Sequence, residues 1–173
     1  MEARDQAKRP ITRLAGPYGH PLHPALVVVP IGAWVASLVF DVASHLARSP
    51  GFLVEGSRWL IGIGVVGALV AAMIGFLDLL AIPTGTRAFR VALLHMSLNL
   101  AATATYAVSV AIREAPLDRP VAIGPLILSA AALAMVGVAG ILGGQLVFRY
   151  GVRVADEFTQ AEGYHTTTAK ENA

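Results

Sequence analysis

The amino-acid sequence predicts an all-α protein, a bundle of four transmembrane helices whose two termini lie on the same side. Of the 173 residues, 55% are hydrophobic and 14% are charged, whereas soluble domains are about 25% charged; the mean hydropathy is +0.65. Four apolar runs each reach the roughly 20 residues needed to cross about 30 Å of hydrocarbon. The runs lack the alternation of transmembrane β-strands, so helices are predicted.

Polar segments flank the apolar runs. We predict a basic N-terminal arm over residues 1–18, a membrane domain over residues 19–154 and a loose polar tail over residues 155–173. The chain contains no cysteine, which excludes disulfides, iron–sulfur clusters, thiolate metal sites and cysteine nucleophiles within it. The net charge of +2 is too small to indicate nucleic-acid binding. Membrane lipid and other membrane or redox proteins are the expected partners.

The first helix begins at the sequence GHPLHP of residues 19–24. Proline is tolerated there because the first amides of a helix have no intrahelical partner. We expect this helix to reach about Ala47 and to bend near Pro30. Asp41 and His45 share one face four residues apart, so they form a predicted second polar pair.

The other three helices are predicted over Ser57–Ile82, Ala88–Ile112 and Val121–Phe148. The second and fourth contain small residues spaced by four, a pattern that allows close packing of membrane helices. These residues are Gly67, Ala71 and Gly75 in the second helix and Gly140 and Gly144 in the fourth. We detect no inverted repeat.

The topology brings polar residues of all four helices to one layer. Nine of the thirteen lysines and arginines fall on the side of the termini, so the positive-inside rule places both termini in the cytoplasm of an inner membrane. The layer comprises His20 and His23 at the start of the first helix, Asp78, His95, and the supporting residues Asn99 and Gln145.

Ionisable groups inside a membrane are costly and indicate function. Haem b held between helices needs two histidines, or one and an open position, so His23 and His95 are candidate axial ligands. In a second hypothesis, His20, His23, His95 and Asp78 supply nitrogen and oxygen ligands to a transition metal. A carboxylate such as Asp78 can also orient a ligating imidazole.

Structural roles remain open for the same residues. His20 and His23 can cap the first helix, and His95 can hydrogen-bond to Asp78 across helices. The protein would then be a non-catalytic assembly subunit that associates through its glycine-rich helices. A third alternative is a small transporter or proton path through Asp41, Asp78 and His95.

Several motifs, taken in order, resemble the DUF2231 family of predicted bacterial membrane proteins. They are residues 19–24 and 30–34, Asp41, residues 75–78, His95 with Asn99, and residues 143–152. The resemblance implies a four-helix membrane domain without an established activity. Some relatives carry a Rieske-type iron–sulfur domain after the last helix, which implies nearby electron transfer. Gln145 stands where relatives commonly have an acidic residue.

Overall fold

The computed structural model describes residues 3–16, 20–113 and 118–164, and within these ranges the regular secondary structure is helical, with no strand. The helices are α1 (Ala3–Lys8), α2 (His23–Leu26), α3 (Val28–Ser44), α4 (Gly51–Leu80), α5 (Arg87–Ala111), α6 (Ile123–Gly144) and α7 (Glu157–Glu162), with a π-helical turn, Gln145–Arg149, after α6. Four segments of the described ranges are long and apolar enough to cross a membrane: His23–Ser44, Gly51–Leu80, Arg87–Ala111 and Ile123–Arg149. The predicted all-α fold with four membrane-spanning helices is confirmed.

Local chemistry explains where the spans break and begin. The first span divides at Val27, because Pro30 has no N–H to donate to the carbonyl of Leu26 one turn earlier. The second span starts at Gly51, six residues before its predicted start, so the segment before Ser57, which contains Glu55, is helical. The Thr86 side chain caps α5 by accepting the Phe89 N–H at 3.1 Å.

The two ends of the chain contact each other. The Arg153 N–H donates to the carbonyl of Ala7 at 3.0 Å, and Arg4 lies 3.3 Å from Glu157. The predicted loose tail contains the short helix α7, which Asp156 caps; the hydrogen bond from the Thr159 N–H lowers the pKa of this aspartate. Residues 165–173 of the tail and Gly19 of the GHPLHP motif lie outside the described residues.

Two helical hairpins make up the bundle. Helices α3 and α4 pack closely, as do α5 and α6, while the contact between the hairpins is much looser. The outer surface is apolar: Val66, Met73 and Ile141 are 64%, 71% and 73% exposed. An apolar surface that faces outward on every helix suits a lipid environment and not water.

A buried ion pair joins the hairpins at the end of the bundle where α3 and α5 finish. The Arg113 guanidinium donates from Nη1 to Asp41 Oδ1 at 2.8 Å and from Nη2 to Asp41 Oδ2 at 2.6 Å. The two side chains are 3% and 0% exposed. Arg113 also donates to the hydroxyl groups of Ser57 and Ser129, at 3.0 and 3.1 Å. Because these residues come from α3, α4, α6 and the end of α5, one network holds all four spans.

The predicted pair of Asp41 and His45 is therefore corrected. His45 lies just past the last residue of α3 and is exposed, while Asp41 is fully buried. A bidentate arginine compensates a buried carboxylate better than a solvent-facing imidazole can. The Ser44 hydroxyl takes part in the same turn, donating to the Asp41 carbonyl at 2.6 Å and accepting the Val121 N–H at 3.1 Å.

Replacing Arg113 with Met should destabilise the bundle by about 3–5 kcal/mol, because the Asp41 carboxylate then stays buried without a counter-charge. Unfolding of the purified protein by sodium dodecyl sulfate measures this loss. Arg119→Ala, an exposed arginine in the same connection, is the control and should change stability by less than about 0.5 kcal/mol. The double variant D41N/R113M should regain part of the loss; equal stability of R113M and R119A would contradict this account.

Candidate functional site

A cavity of about 330 Å³ lies between the two hairpins, at the end opposite the buried ion pair. Its wall is mainly aliphatic and aromatic. Four residues of the predicted layer lie on the wall: His23, Asp78, His95 and Asn99. Arg153, which was not predicted, lies there too. Mostly apolar pockets with a few convergent polar groups are the usual form of a ligand site.

The two histidines of this wall are anchored in the same way. His23 Nδ1 lies 2.9 Å from the Ala71 carbonyl oxygen of α4, and His95 Nδ1 lies 2.7 Å from the Ala139 carbonyl oxygen of α6. A carbonyl only accepts, so each Nδ1 carries a proton. In the neutral imidazole this leaves a lone pair on Nε2 of each ring.

A glycine makes room for each ring. A Cβ at Gly75 would lie 2.9 Å from the His23 ring, and one at Gly143 would lie 3.1 Å from the His95 ring. Each glycine is one turn beyond the alanine that accepts the hydrogen bond. The rings of His23 and His95 meet edge to face, with centroids 6.3 Å apart and planes at 83°. The small-residue stripe predicted on the second span thus receives the first histidine.

The two hairpins repeat one another. The first and third spans run in the same direction, and a spacing of 72 residues relates their buried polar and aromatic positions. The pairs are His23 and His95, Trp34 and Tyr106, Ser37 and Ser109, and Asp41 and Arg113. Every pair except the serines is in direct contact, by ring packing or by the ion pair. This parallel repeat places both histidines beside an approximate two-fold axis along the bundle.

Asn99 distinguishes one histidine from the other. Its Nδ2 lies 2.8 Å from the His95 carbonyl oxygen and 3.3 Å from His95 Nε2. Both are acceptors when His95 is protonated on Nδ1, so the amide nitrogen donates to them. Thr103 extends the line, donating to the Asn99 carbonyl at 2.8 Å. Val27 is the residue 72 positions before Asn99, and its side chain has no donor.

Asp78 lines the cavity but is engaged with Arg153. Arg153 Nε lies 2.9 Å from Asp78 Oδ1, and the two side chains are 6% and 13% exposed. Arg153 has a left-handed backbone, with φ of 60°, and its Nη2 donates to the Ala15 carbonyl at 3.2 Å. This arginine ties the N-terminal arm to the end of α4. The predicted bond between Asp78 and His95 is replaced by this ion pair.

The other two predicted layer residues lie outside the cavity wall. His20 is exposed, and the Gln145 side chain donates to the Tyr150 hydroxyl at 3.3 Å within the π-helical turn. Among residues 3–16, 20–113 and 118–164, no three His, Cys, Asp or Glu side chains come close enough to hold a metal ion. The predicted set of His20, His23, His95 and Asp78 is therefore not assembled as one cluster: His20 is not on the cavity wall, and Asp78 pairs with Arg153.

Sequence reasoning missed Arg113, Arg153 and the two alanine carbonyls. Both arginines follow an apolar run, where a basic residue normally marks a membrane boundary. The alanines were recognised, at most, as small packing residues. For the alanines, the available signal was the repeated arrangement of Ala71 with Gly75 and of Ala139 with Gly143, each four residues apart in the span after a histidine.

These features define a four-helix membrane protein with a two-histidine cavity near one end. The chain belongs to the DUF2231 family, since the family model described as "Predicted membrane protein (DUF2231)" matches residues 19–156. The resemblance drawn from the motifs is thereby confirmed. Neither a search of curated proteins nor one of solved structures returned a match.

Nitrogen-15 NMR of histidine-labelled protein, in detergent above pH 8, tests the assigned tautomers. His23 and His95 should both show a protonated Nδ1 and an unprotonated Nε2, because their Nδ1 atoms face carbonyl oxygens. The exposed His45 provides a reference resonance, identified by His45→Gln. A proton on Nε2 in either buried ring would contradict the arrangement.

Proposed function

We propose that this protein binds one haem b between its two hairpins, with His23 and His95 as axial ligands, and serves as a membrane redox module. The observation that supports this most strongly is the matched pair of imidazoles. Both donate Nδ1–H to a backbone carbonyl, which is the usual arrangement of a histidine that ligates metal through its other nitrogen.

The distance between the two rings matches a shared metal ion, although His95 Nε2 would have to turn away from Asn99 to reach one. Bonds from a metal to an imidazole nitrogen are about 2.0–2.1 Å long, so rings on opposite sides of one ion have centroids ~6 Å apart. The observed separation is 6.3 Å. Because one ring comes from each hairpin, the ion would lie between the hairpins, where the bundle is most loosely packed.

The donor set favours haem over a bare ion. A transition metal without its own ligands needs three or four protein donors. The described part of the chain brings together two histidines and no third His, Cys, Asp or Glu. Haem supplies four nitrogen ligands of its own and requires only axial ones from the protein.

The surroundings agree with a porphyrin as the ligand. On the side of the histidines that faces the buried ion pair, the cavity wall includes Trp34, Leu100 and Val136. Such apolar side chains suit an apolar macrocycle. The ion pair of Asp78 and Arg153 forms part of the same cavity wall, next to the N-terminal arm. The inferred location is the bacterial inner membrane with cytoplasmic termini, by the positive-inside rule, and a separate redox protein would exchange electrons with the haem.

Haem reconstitution of the purified apoprotein tests the proposal. We expect one haem per chain, a Soret band and a low-spin spectrum from two axial histidines. His95→Ala and His23→Ala should each abolish the low-spin spectrum, whereas His45→Ala, at the exposed end of α3, should leave it unchanged. No Soret band in the wild-type protein, together with no stoichiometric metal by elemental analysis, would refute the proposal.

A second candidate is a non-catalytic assembly subunit that associates through α6. A Cβ built at Gly137 or Gly140 meets no atom within 4 Å, so these glycines are not required for packing inside the bundle. Small residues on an open helix face permit close approach of another membrane helix. A transporter is less well supported, because Asp41 and Asp78 are each held in an ion pair at opposite ends.

Gly137→Leu, at an open position of α6 outside the cavity wall, distinguishes the assembly role. If α6 packs against a partner, this change should disrupt a complex seen by cross-linking in native membranes, because Leu prevents close approach. Gly124→Leu, at an equally open position near the start of α6, is the matched control and should not. An unchanged cross-linking pattern in both variants would count against α6 as an interface.

A further inference from the structure

The side-chain donors on the cavity wall are directed at atoms of the protein itself. Nδ1 of His23 and Nδ1 of His95 each donate to a backbone carbonyl. The Asn99 amide donates to the His95 carbonyl and to His95 Nε2. The Thr103 hydroxyl, also on the wall, donates to the Asn99 carbonyl. These four side chains therefore offer the cavity no further polar hydrogen.

Two other donors on the wall are directed in the same way. Arg153 holds Nε 2.9 Å from Asp78, and its Nη2 donates to the Ala15 carbonyl at 3.2 Å. The indole nitrogen of Trp34 lies against Gly64, which is not on the cavity wall. The side chains of the wall thus leave acceptors, and not donors, for a molecule in the cavity.

Two such acceptors remain, one on each hairpin. Within residues 3–16, 20–113 and 118–164, no donor contacts Nε2 of His23 or Oδ1 of Asn99. His23 Nε2 carries a lone pair in the neutral ring, because Nδ1 holds the proton. The equivalent nitrogen of His95 already accepts from Asn99. An acceptor without a partner in an apolar cavity costs free energy, which a ligand that supplies a donor recovers.

We propose that this cavity binds a lipid-soluble phenol, such as a hydroquinone, whose hydroxyl group donates to His23 Nε2. A phenolic hydroxyl has a pKa near about 10, far below that of an aliphatic alcohol, and is the stronger donor to an imidazole nitrogen. The oxidised quinone carries only acceptors, so it leaves His23 Nε2 without a partner. The inference does not rest on the proposed haem site, because a phenol and haem would occupy the same cavity and exclude each other.

The size and the outlet of the cavity suit such a ligand. An apolar cavity of about 150 Å³ takes up benzene, so a volume of about 330 Å³ admits a substituted ring. Leu69, Phe76 and Leu100 belong to the wall and are also 51%, 49% and 46% exposed on the outer surface. The cavity therefore reaches the lipid-facing surface. A ligand dissolved in the bilayer can enter sideways and make aromatic contacts with Phe76 and Trp34.

Titration with a matched pair of probes tests the proposal. We expect 4-tert-butylphenol to bind roughly 2- to 10-fold more tightly than 4-tert-butylanisole, after correction for uptake by detergent, because the ether lacks the hydroxyl donor. Trp59→Phe removes the second of the two tryptophans, so the fluorescence of Trp34 on the cavity wall reports binding. His23→Phe should abolish the preference, whereas His45→Phe, at an exposed position, should retain it. Equal affinities for the two probes would overturn the proposal.

Nitrogen-15 NMR keeps the proposal testable if His23→Phe fails to fold. In the wild-type protein above pH 8, the phenol should move the Nε2 resonance of His23 upfield, because the hydroxyl donates to this lone pair. The anisole should leave the resonance in place. A His23 Nε2 resonance that does not respond to the phenol would contradict the proposal.

Titration without oxygen separates the possible sources of the phenol. Durohydroquinone binding more tightly than the monophenol would support a quinol, whose second hydroxyl can donate to Asn99 Oδ1, and equal binding would support a monophenol. Duroquinone binding as tightly as durohydroquinone would overturn the requirement for a donor. Failure of the haem site is read separately: a protein with phenol selectivity and no Soret band loses only the haem, and one that takes up haem without phenol selectivity loses only this inference.

Discussion

The ion pair between Asp41 and Arg113 is the interaction on which the bundle depends. Moving two charges out of water costs free energy. Only close, bidentate geometry with further hydrogen bonds compensates this desolvation cost. The structure meets this requirement with two short contacts and the hydroxyl groups of Ser57 and Ser129. Slippage of one hairpin along the other would separate these groups. The pair therefore fixes the relative height of the hairpins, which apolar packing against lipid would not do.

That fixed height determines where the histidines meet. His23 is 18 residues before Asp41, and His95 is 18 residues before Arg113. At 1.5 Å per residue, equal spacing on parallel helices brings both rings to the same level, about 27 Å from the ion pair. Between the histidines and the ion pair, Trp34 stacks on Tyr106, with ring centroids 4.3 Å apart and nearly parallel ring planes. This buried aromatic stack therefore lies between the two polar ends of the bundle.

Much of the fold could be predicted from the sequence, because span length and hydropathy depend on composition and on the thickness of a bilayer. The meeting of His23, His95 and Asn99 also followed from topology and helical rise. The choice of partners did not: Asp41 could pair with His45 by spacing, yet pairs with Arg113, and Asp78 pairs with Arg153. Such choices depend on helix rotation and on how far an arginine reaches from beyond a span, and neither is encoded in local spacing.

The same repeat has opposite chemical results at its two ends. At one end the equivalent positions hold an acid and a base, which neutralise each other and close the structure. At the other end they hold two identical imidazoles, each with its proton committed to a backbone carbonyl. Two such rings cannot hydrogen-bond to one another, because neither has a second proton to donate when neutral. Asn99 satisfies one of the two lone pairs, that of His95 Nε2, so the two equivalent positions differ chemically although both rings are held in the same way.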